Sequence, residues 1–396
     1  MLKEIETGIW IISTNDWERR LFDELIPLPD GTSYNAYVIK GTTHNALIDS
    51  SDIRKIEPFL NDLQSLSLEK IDYIIANHAE PDHSGAILDV LTLYPKAKIV
   101  CTEKCKEILV DLLHIPPETF VIVTHESSID LGGRTLNFIP APWVHWPETM
   151  FTYLNEEKIL FTCDFLGNHI ASSEVYSSKD KRTYIAAKRY YAEIMMPFRK
   201  IIKRHLDTIE KLDISLIATS HGLIYDDPGF IINAYKEWAS DKVKNEVVIP
   251  YVSMYGSTEK MVEYLTENLI KRGITVKPFM LTTTDIGELA MSLVDCASIV
   301  IGSPTVLTGP HPAVVYATYL ANLLKPKAKF ATVIGSYGWK GSVVDQIVNL
   351  IPKLKVELFN PVIIKGKPRD EDFSLLDNLV DEIVRKHEEL GLFNHP

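Results

Sequence analysis

Four side chains able to bind a metal fall within six residues of this sequence: His78, Glu80, Asp82 and His83, in His78-Ala79-Glu80-Pro81-Asp82-His83. Two imidazoles and two carboxylates packed this closely are costly to a fold unless something binds them. Mixed nitrogen and oxygen ligands suit iron, zinc or manganese. The motif follows the apolar run Ile71-Asp72-Tyr73-Ile74-Ile75-Ala76-Asn77, which places it in a tight loop at a strand end, where alternate residues can face one point. Pro81 stiffens that loop, and Gly85 lets the next helix begin close by. One metal can take His78 and Glu80, and a second Asp82 and His83. Far downstream, Ser253-Met254-Tyr255-Gly256-Ser257-Thr258 follows another apolar strand. Hydroxyls, backbone N–H groups and a glycine that permits close approach make this a phosphate cradle. A metal site and a phosphate site on one chain point to redox chemistry.

Two metals need more ligands. His145 sits in Trp143-Val144-His145-Trp146-Pro147, Asp164 ends the run Phe161-Thr162-Cys163, and His221 ends Leu216-Ile217-Ala218-Thr219-Ser220. Each lies at a strand end or in a loop between strands, where sites form, and Asp164 can bridge both metals. Taken singly, His145, Asp164 or His221 is as well explained by packing or capping; their joint occurrence carries the reading. His169, five residues past Asp164, is placed in the pocket lining, whereas His44, His114, His125, His205 and His311 have no such context. Two further loops can reach the phosphate cradle: Gly302-Ser303-Pro304-Thr305-Val306-Leu307-Thr308-Gly309 and Gly335-Ser336-Tyr337-Gly338-Trp339-Lys340-Gly341. In them Pro304, Thr305, Ser336, Tyr337, Gly338 and Trp339 are candidate binding residues, with Tyr337 and Trp339 able to cover an aromatic ring system. The dinucleotide fingerprint Gly-x-Gly-x-x-Gly is missing after the first strand of this half, which disfavours NAD.

The elements that must position these groups differ between the two halves. Up to about residue 245, short β-like runs (Tyr34–Val38, Ala46–Ile48, Ile99–Val100, Phe120–Val123, Thr135–Phe138, Ile159–Phe161) alternate with helical stretches near 53–63, 84–94 and 103–113, and a long helical region spans 181–212. A polar stretch at 241–245 follows a helix and reads as a linker. Beyond it, five strands alternate with helices, the last strand at Val356–Leu358 and the last helix at 372–389, predicting a doubly wound parallel sheet. The expected domains are 1–245 and 246–396. The 396 residues are 46% hydrophobic with net charge −12, which argues against nucleic acid as a partner. The N-terminus carries no basic segment followed by an apolar stretch, and no apolar run is long enough to span a bilayer, so the expectation is a cytoplasmic protein. Cys101, Cys105, Cys163 and Cys296 match no zinc or redox spacing and are expected to be reduced packing residues.

The ordered set His-x-[His/Glu]-x-Asp-His, His, Asp, His resembles the metallo-β-lactamase fold. In hydrolases of that fold the third motif position is histidine, where this chain has Glu80. Together with the flavodoxin-like tail, the whole chain resembles the flavodiiron proteins: the Glu-containing motif, Val144-His145-Trp146-Pro147 and Ser220-His221-Gly222 all agree. The resemblance implies an α/β chain, an N-terminal metallo-β-lactamase-like αββα sandwich followed by a flavodoxin-like doubly wound parallel sheet. It implies FMN in the cradle formed by Ser253, Met254, Tyr255, Gly256, Ser257 and Thr258 with the two later loops. It implies one iron held by His78, Glu80 and His145 near the flavin, another held by Asp82, His83 and His221, and Asp164 bridging. The activity implied is transfer of electrons from FMN to the diiron site, which reduces dioxygen to water, nitric oxide to nitrous oxide, or both. The donor implied is a reduced deazaflavin coenzyme or a separate rubredoxin, since the chain reaches Pro396 without a Cys-x-x-Cys pair. A head-to-tail homodimer, or a tetramer of such dimers, is implied as well. His169 and Tyr191 (or Tyr190), with Trp146, are expected to tune the reaction. The alternatives are a dinuclear zinc hydrolase fused to a flavodoxin-like module, against which Glu80 and the flavin loops speak, and an electron carrier without metal.

Overall fold

The computed structural model describes residues 1–339 and 343–393. The chain divides into two compact units. One comprises Met1–Tyr191 and Phe198–Ala239; the other comprises Ala192–Pro197 and the chain from Ser240 onward.

Besides a two-stranded sheet, Leu21–Phe22 paired antiparallel with Ile26–Pro27, the first unit holds two large sheets. In the larger, the order is Leu2–Glu6, Ile9–Asp16, Thr32–Lys40, Asn45–Ile48, Tyr73–Ile75, Lys98–Cys101, Phe120–Ile122, antiparallel as far as Asn45–Ile48 and parallel beyond it. In the smaller, Ser128–Asp130, Thr135–Pro140, Met150–Leu154 and Ile159–Cys163 are antiparallel, and Leu216–Thr219 joins in parallel. Strand side chains alternate between faces, and the strand Thr32–Lys40 shows the result. Tyr37 and Ile39 enter the core between the sheets, with Phe138, Met150 and Phe161 opposite. Ala36 and Val38 enter the core under the helices Ile56–Ser65, Ile87–Leu93 and Glu103–Leu113. On the far side of the smaller sheet, Phe151 stacks on Phe165, which meets Tyr235 of the helix Pro228–Ala239. The result is the expected helix–sheet–sheet–helix layering.

The strands Leu2–Glu6, Ile9–Asp16 and Met150–Leu154 are not among those read from the sequence. The helical region expected over 181–212 is broken: Lys181–Tyr190 gives way to a π-helical stretch at Tyr191–Met195, a short 3₁₀ turn at Met196–Phe198, and then Arg199–Ile209. Pro197 supplies no N–H and restricts the residue before it, which fits a break there.

The second unit carries one parallel sheet in the order Thr275–Met280, Lys244–Tyr251, Cys296–Val306, Phe330–Tyr337, Glu357–Leu358. Val362–Lys365, which the sequence reading passed over, also pairs with Phe330–Tyr337. One face packs on the helices Ser257–Lys271 and Phe373–Glu389, the other on Ile286–Leu293, Pro312–Leu324 and Val343–Asn349. The first strand already begins at Lys244, so the stretch expected as linker is partly sheet. Buried His387 of the last helix accepts from Ser298 Oγ through Nε2 and donates from Nδ1 to Asn245 Oδ1, both at 2.7 Å. Burial pushes its pKa down to about 4, so the ring is neutral and pins this helix to two neighbouring strands. Among the described residues, no helix is long and apolar enough to cross a membrane.

Candidate functional site

The six-residue motif follows the strand Tyr73–Ile75 and is tied down before it begins. Asn77 is fully buried; its N–H donates to Asp49 Oδ1 (2.8 Å), and its Oδ1 accepts from Thr152 Oγ1 (2.7 Å). The motif is not wholly the loop expected. Pro81–Ser84 forms one helical turn with Pro81 at its start, where a missing N–H does no harm. The amides of His83 and Ser84 bond back to the Glu80 carbonyl. A side chain at Gly85 would collide with the Pro81 carbonyl at 2.4 Å, which explains the glycine. Asp164 and His221 follow neighbouring parallel strands. The pairing bulges between Phe161 and Cys163, and Cys163 takes φ +51, a conformation uncommon for a non-glycine residue. His145 rides on a loop closed by Ala141 N–H to the Thr149 carbonyl (2.8 Å) and Trp143 N–H to the Trp146 carbonyl (2.7 Å).

These elements bring all seven expected ligands together around Asp164. Its Oδ2 lies 3.4 Å from His78 Nε2 and 3.1 Å from His145 Nε2. Its Oδ1 lies 3.0 Å from His83 Nε2 and 3.2 Å from His221 Nε2. Glu80 Oε2 joins the first group, 3.0 Å from His78 and 3.2 Å from His145. Asp82 joins the second, 3.3 Å from His83 and 3.2 Å from His221. The ligand atoms of His78, Glu80, His145 and Asp164 lie within 4.8 Å of one another, as do those of Asp82, His83 and His221. Six of the seven residues are buried. Asp82 and His221 Nε2 are enclosed and meet only neighbouring cluster charges, at 3.2–3.3 Å, without a well-formed hydrogen bond; a bound cation would satisfy them better.

The electrostatics fit a pair of cations. Burial works against a charged His145, but its hydrogen bonds to Asp164 and Glu80 outweigh that and push it up to about 9. Asp164 and Asp82 likewise push His221 up to about 10 against burial. Burial favours protonated Glu80 and Asp164, yet the surrounding imidazoles hold both below the ordinary carboxylate range. The inward Nε2 atoms thus hold protons where a metal would sit, while the outward nitrogens of two rings are engaged elsewhere. His78 Nδ1 donates to Glu148 Oε1 (2.6 Å) and His221 Nδ1 to the Ser33 carbonyl (2.9 Å). That fixes the tautomer a metal needs. Cys163 also comes within reach of His83 and Asp164. Burial, then Asp49 and Asp164, hold its thiol well above the ordinary range.

Around this cluster, Tyr190 donates to Asp164 Oδ1 at 2.9 Å. Tyr191, expected at the reaction centre, instead packs its ring on Tyr235 and Trp238 behind the site. His169 Nδ1 meets Thr32 Oγ1 at 2.9 Å, and its ring lies 4.9 Å from that of His221 and 4.8 Å from that of Tyr190. Burial, then the charge of His221, hold His169 well below its usual range, so it is neutral. Trp146 meets His78 edge to face. A cavity of about 210 Å³ opens onto Glu80 and Asp82, walled by Arg19, Phe22, Asp23 and Asp52. Burial, then Glu80 and Asp82, raise Asp23 to about 6. The sequence reading passed over Glu148, Asp23 and Thr32; only the nearness of Glu148 to His145 in the chain hinted at any of them.

In the second unit a cavity of about 440 Å³ is lined by Ser253, Met254, Tyr255, Ser257, Thr258, Pro304, Thr305, Ser336, Tyr337, Gly338 and Trp339, and by Gly366, which was not foreseen. It lies at the carboxyl ends of the central strands, where doubly wound sheets bind ligands. Ser257 begins a helix of 15 residues, preceded by Gly256 at φ +82. Thr258 Oγ1 and Thr305 Oγ1 are buried without a partner. Trp339 and Tyr255 stand almost fully exposed at the rim. The stretches from Gly302 to Val306 and from Gly335 to Tyr337, read as loops, are strand ends; the chain turns at Leu307 and Thr308, both at positive φ. Lys340 and Gly341 lie outside the described residues.

A family model described as ODP family beta lactamase matches residues 32–222. A nitric oxide reductase of Moorella thermoacetica is 36% identical over 93% of this chain and 94% of its own. A coenzyme F420H(2) oxidase of Methanothermobacter marburgensis is 34% identical over 88% of this chain and 89% of its own. The crystal structure of the flavodiiron protein from Giardia intestinalis superposes with a TM-score of 0.90 at 28% identity, covering 98% of this chain and 96% of that one.

Proposed function

Since the chain belongs to the flavodiiron protein family, we propose that His78, Glu80 and His145 hold one iron, that Asp82, His83 and His221 hold the other, and that Asp164 bridges them. The protein is an oxidoreductase with a metallo-β-lactamase-like domain, taken as residues 1–245, and a flavodoxin-like domain, taken as 246–396. It carries FMN and a diiron site and reduces dioxygen, nitric oxide or both. The observation that carries the ligand assignment is Asp164, whose two oxygens face two separate groups of imidazole and carboxylate. FMN supplies electron storage and transfer, and the two irons supply the place where the gas is reduced.

The chain's own residues do the rest. Three carboxylates among the seven ligands favour ferric over ferrous iron more than neutral imidazoles would. The cavity over Glu80 and Asp82 is the entry for a small neutral gas, with Phe22 as its apolar wall. Tyr190 holds the orientation of Asp164 through its hydroxyl. Neutral His169, with a buried Nε2 that has no partner, and Trp146 shape the inner pocket. In the second unit the helix N-terminus at Ser257 and the hydroxyls of Ser253, Thr258 and Thr305 bind the flavin phosphate and ribityl chain. Tyr337 and Trp339 cover the ring system. Reduced deazaflavin coenzyme or rubredoxin delivers the electrons. Exposed Tyr255, Leu307 and Trp339 support a homodimer, head to tail, in which a second copy covers this rim; a tetramer of such dimers serves equally. The cytoplasm is the expected compartment, in keeping with four free, buried cysteines.

The test is the iron, zinc and FMN content of anaerobically purified protein. About two irons and one FMN per chain support the assignment, whereas two zincs, or FMN without metal, would send the first unit back to a hydrolase or a carrier reading.

A further inference from the structure

Glu148 is 2% exposed and lies three residues past His145, where the loop re-enters the strand Met150–Leu154. Its Oε1 accepts from His78 Nδ1 at 2.6 Å and from the Ala79 N–H at 3.0 Å. Its own carbonyl accepts from Thr102 Oγ1 at 2.9 Å, and the same hydroxyl caps the helix Glu103–Leu113 by accepting from Cys105 N–H. Two residues on, Met150 N–H donates to the Asn77 carbonyl at 2.9 Å. One side chain therefore joins the segment bearing His78 and Glu80 to the loop bearing His145, and these are the three terminal ligands of one iron in the assignment above.

The other iron is supported differently. The outward nitrogen of His221 donates to a neutral backbone carbonyl, that of Ser33. An imidazole backed by a full carboxylate is a stronger electron donor through its far nitrogen than one backed by a carbonyl. It also stabilises a more highly charged metal more strongly.

We propose that Glu148 is a positioning residue that makes the two irons unequal: through His78 it holds the iron of His78, Glu80 and His145 more tightly and favours its ferric state. The inference rests on the ligand assignment of the preceding subsection.

The experiment uses the full-length, FMN-containing protein loaded with iron. It measures the rate at which each iron passes to a chelator and the reduction potential of each iron step, for the wild type, E148Q and E148D. Glutamine keeps the size and an oxygen that can accept from both His78 and Ala79, but removes the charge; aspartate keeps the charge and shortens the reach. The expected result is that in E148Q one iron leaves about 10–100-fold faster and its potential rises, while the second iron and the FMN content stay as in wild type. E148D is expected to shift the potential less than E148Q. A packing role alone gives the opposite order, with E148D the worse. Wild-type release rates and potentials in E148Q would overturn the proposal, and so would the reversed order. Should E148Q fail to fold, the test passes to the wild type, in which the two iron steps are expected at different potentials and the two irons are expected to leave at different rates; equal potentials and equal release rates overturn the inference. H78A serves as the control on the underlying assignment. If H78A keeps both irons, the ligand map itself is wrong; if it loses one while E148Q behaves as wild type, only the role of Glu148 falls.

Discussion

The metal cluster and the flavin cavity solve opposite problems. The cluster gathers three carboxylates and four imidazoles almost wholly out of water, with His78 and His221 held by hydrogen bonds from behind and Asp164 and His221 placed at strand ends. The cavity uses few charged groups and depends on a helix N-terminus, buried hydroxyls and an exposed aromatic rim. The first depends on its ligand, because buried charge without a partner is destabilising. The second tolerates emptiness, because its polar atoms are few and its aromatics can stay in water. Loss of metal should therefore disturb the first unit far more than loss of FMN disturbs the second.

The largest effect is expected from D164A, which removes the one group facing both metal positions. Iron content should fall close to zero and gas reduction with it, while FMN stays bound; two irons retained in D164A would break the contrast at its root. Next comes the pair G256V and T258A. A β-branched residue at φ +82 costs about 1–2 kcal/mol, and losing a hydroxyl bound to an anion costs about 1.5–3 kcal/mol. FMN affinity should drop about 10²–10⁴-fold for the pair with iron content unchanged, as checked by flavin fluorescence and metal analysis.

A smaller effect separates the metal-free from the loaded protein. In the metal-free state His145 and His221 are raised to about 9 and 10. A raised imidazole contributes stability that is fully present below its unfolded value of about 6.5 and is lost as pH rises through the folded value. The melting temperature of the chelated protein should therefore fall from pH 7 to 10. The loaded protein should stay level over that range, since a metal replaces the proton on Nε2. Parallel curves for the two forms would show that protons do not occupy the metal positions. The smallest effect belongs to Y190F, which removes one hydrogen bond to Asp164. Iron should be retained and turnover should fall by no more than about tenfold.

What the sequence made legible follows from distance along the chain. His78, Glu80, Asp82 and His83 are contiguous and chemically unlike their neighbours, so they stand out without a structure. Glu148 supports His78 across 70 residues, and only its nearness to His145 in the chain marks it. Tyr190 and Tyr191 are adjacent at the point where an α-helix loosens into a π-helical stretch, so helical phase could not choose between them. In residues 302–306 and 335–337 glycine, serine and proline favour turns. Pairing between the neighbouring strands carries both segments on as sheet. Gly366 belongs to a region after Val362–Lys365, a strand too short and too charged at its end to announce itself.

The pin made by His387 has a consequence for the order in which the chain is made. The last metal-cluster residue, His221, is made before the first strand of the second unit, which begins at Lys244. The sheet that forms the flavin cavity still lacks its closing helix until residue 387 has been added and can reach Ser298 and Asn245. During synthesis the nascent chain can gather its iron ligands while the flavin cradle is unfinished. Gathering the iron ligands therefore does not need the last helix, whereas a finished flavin cradle does.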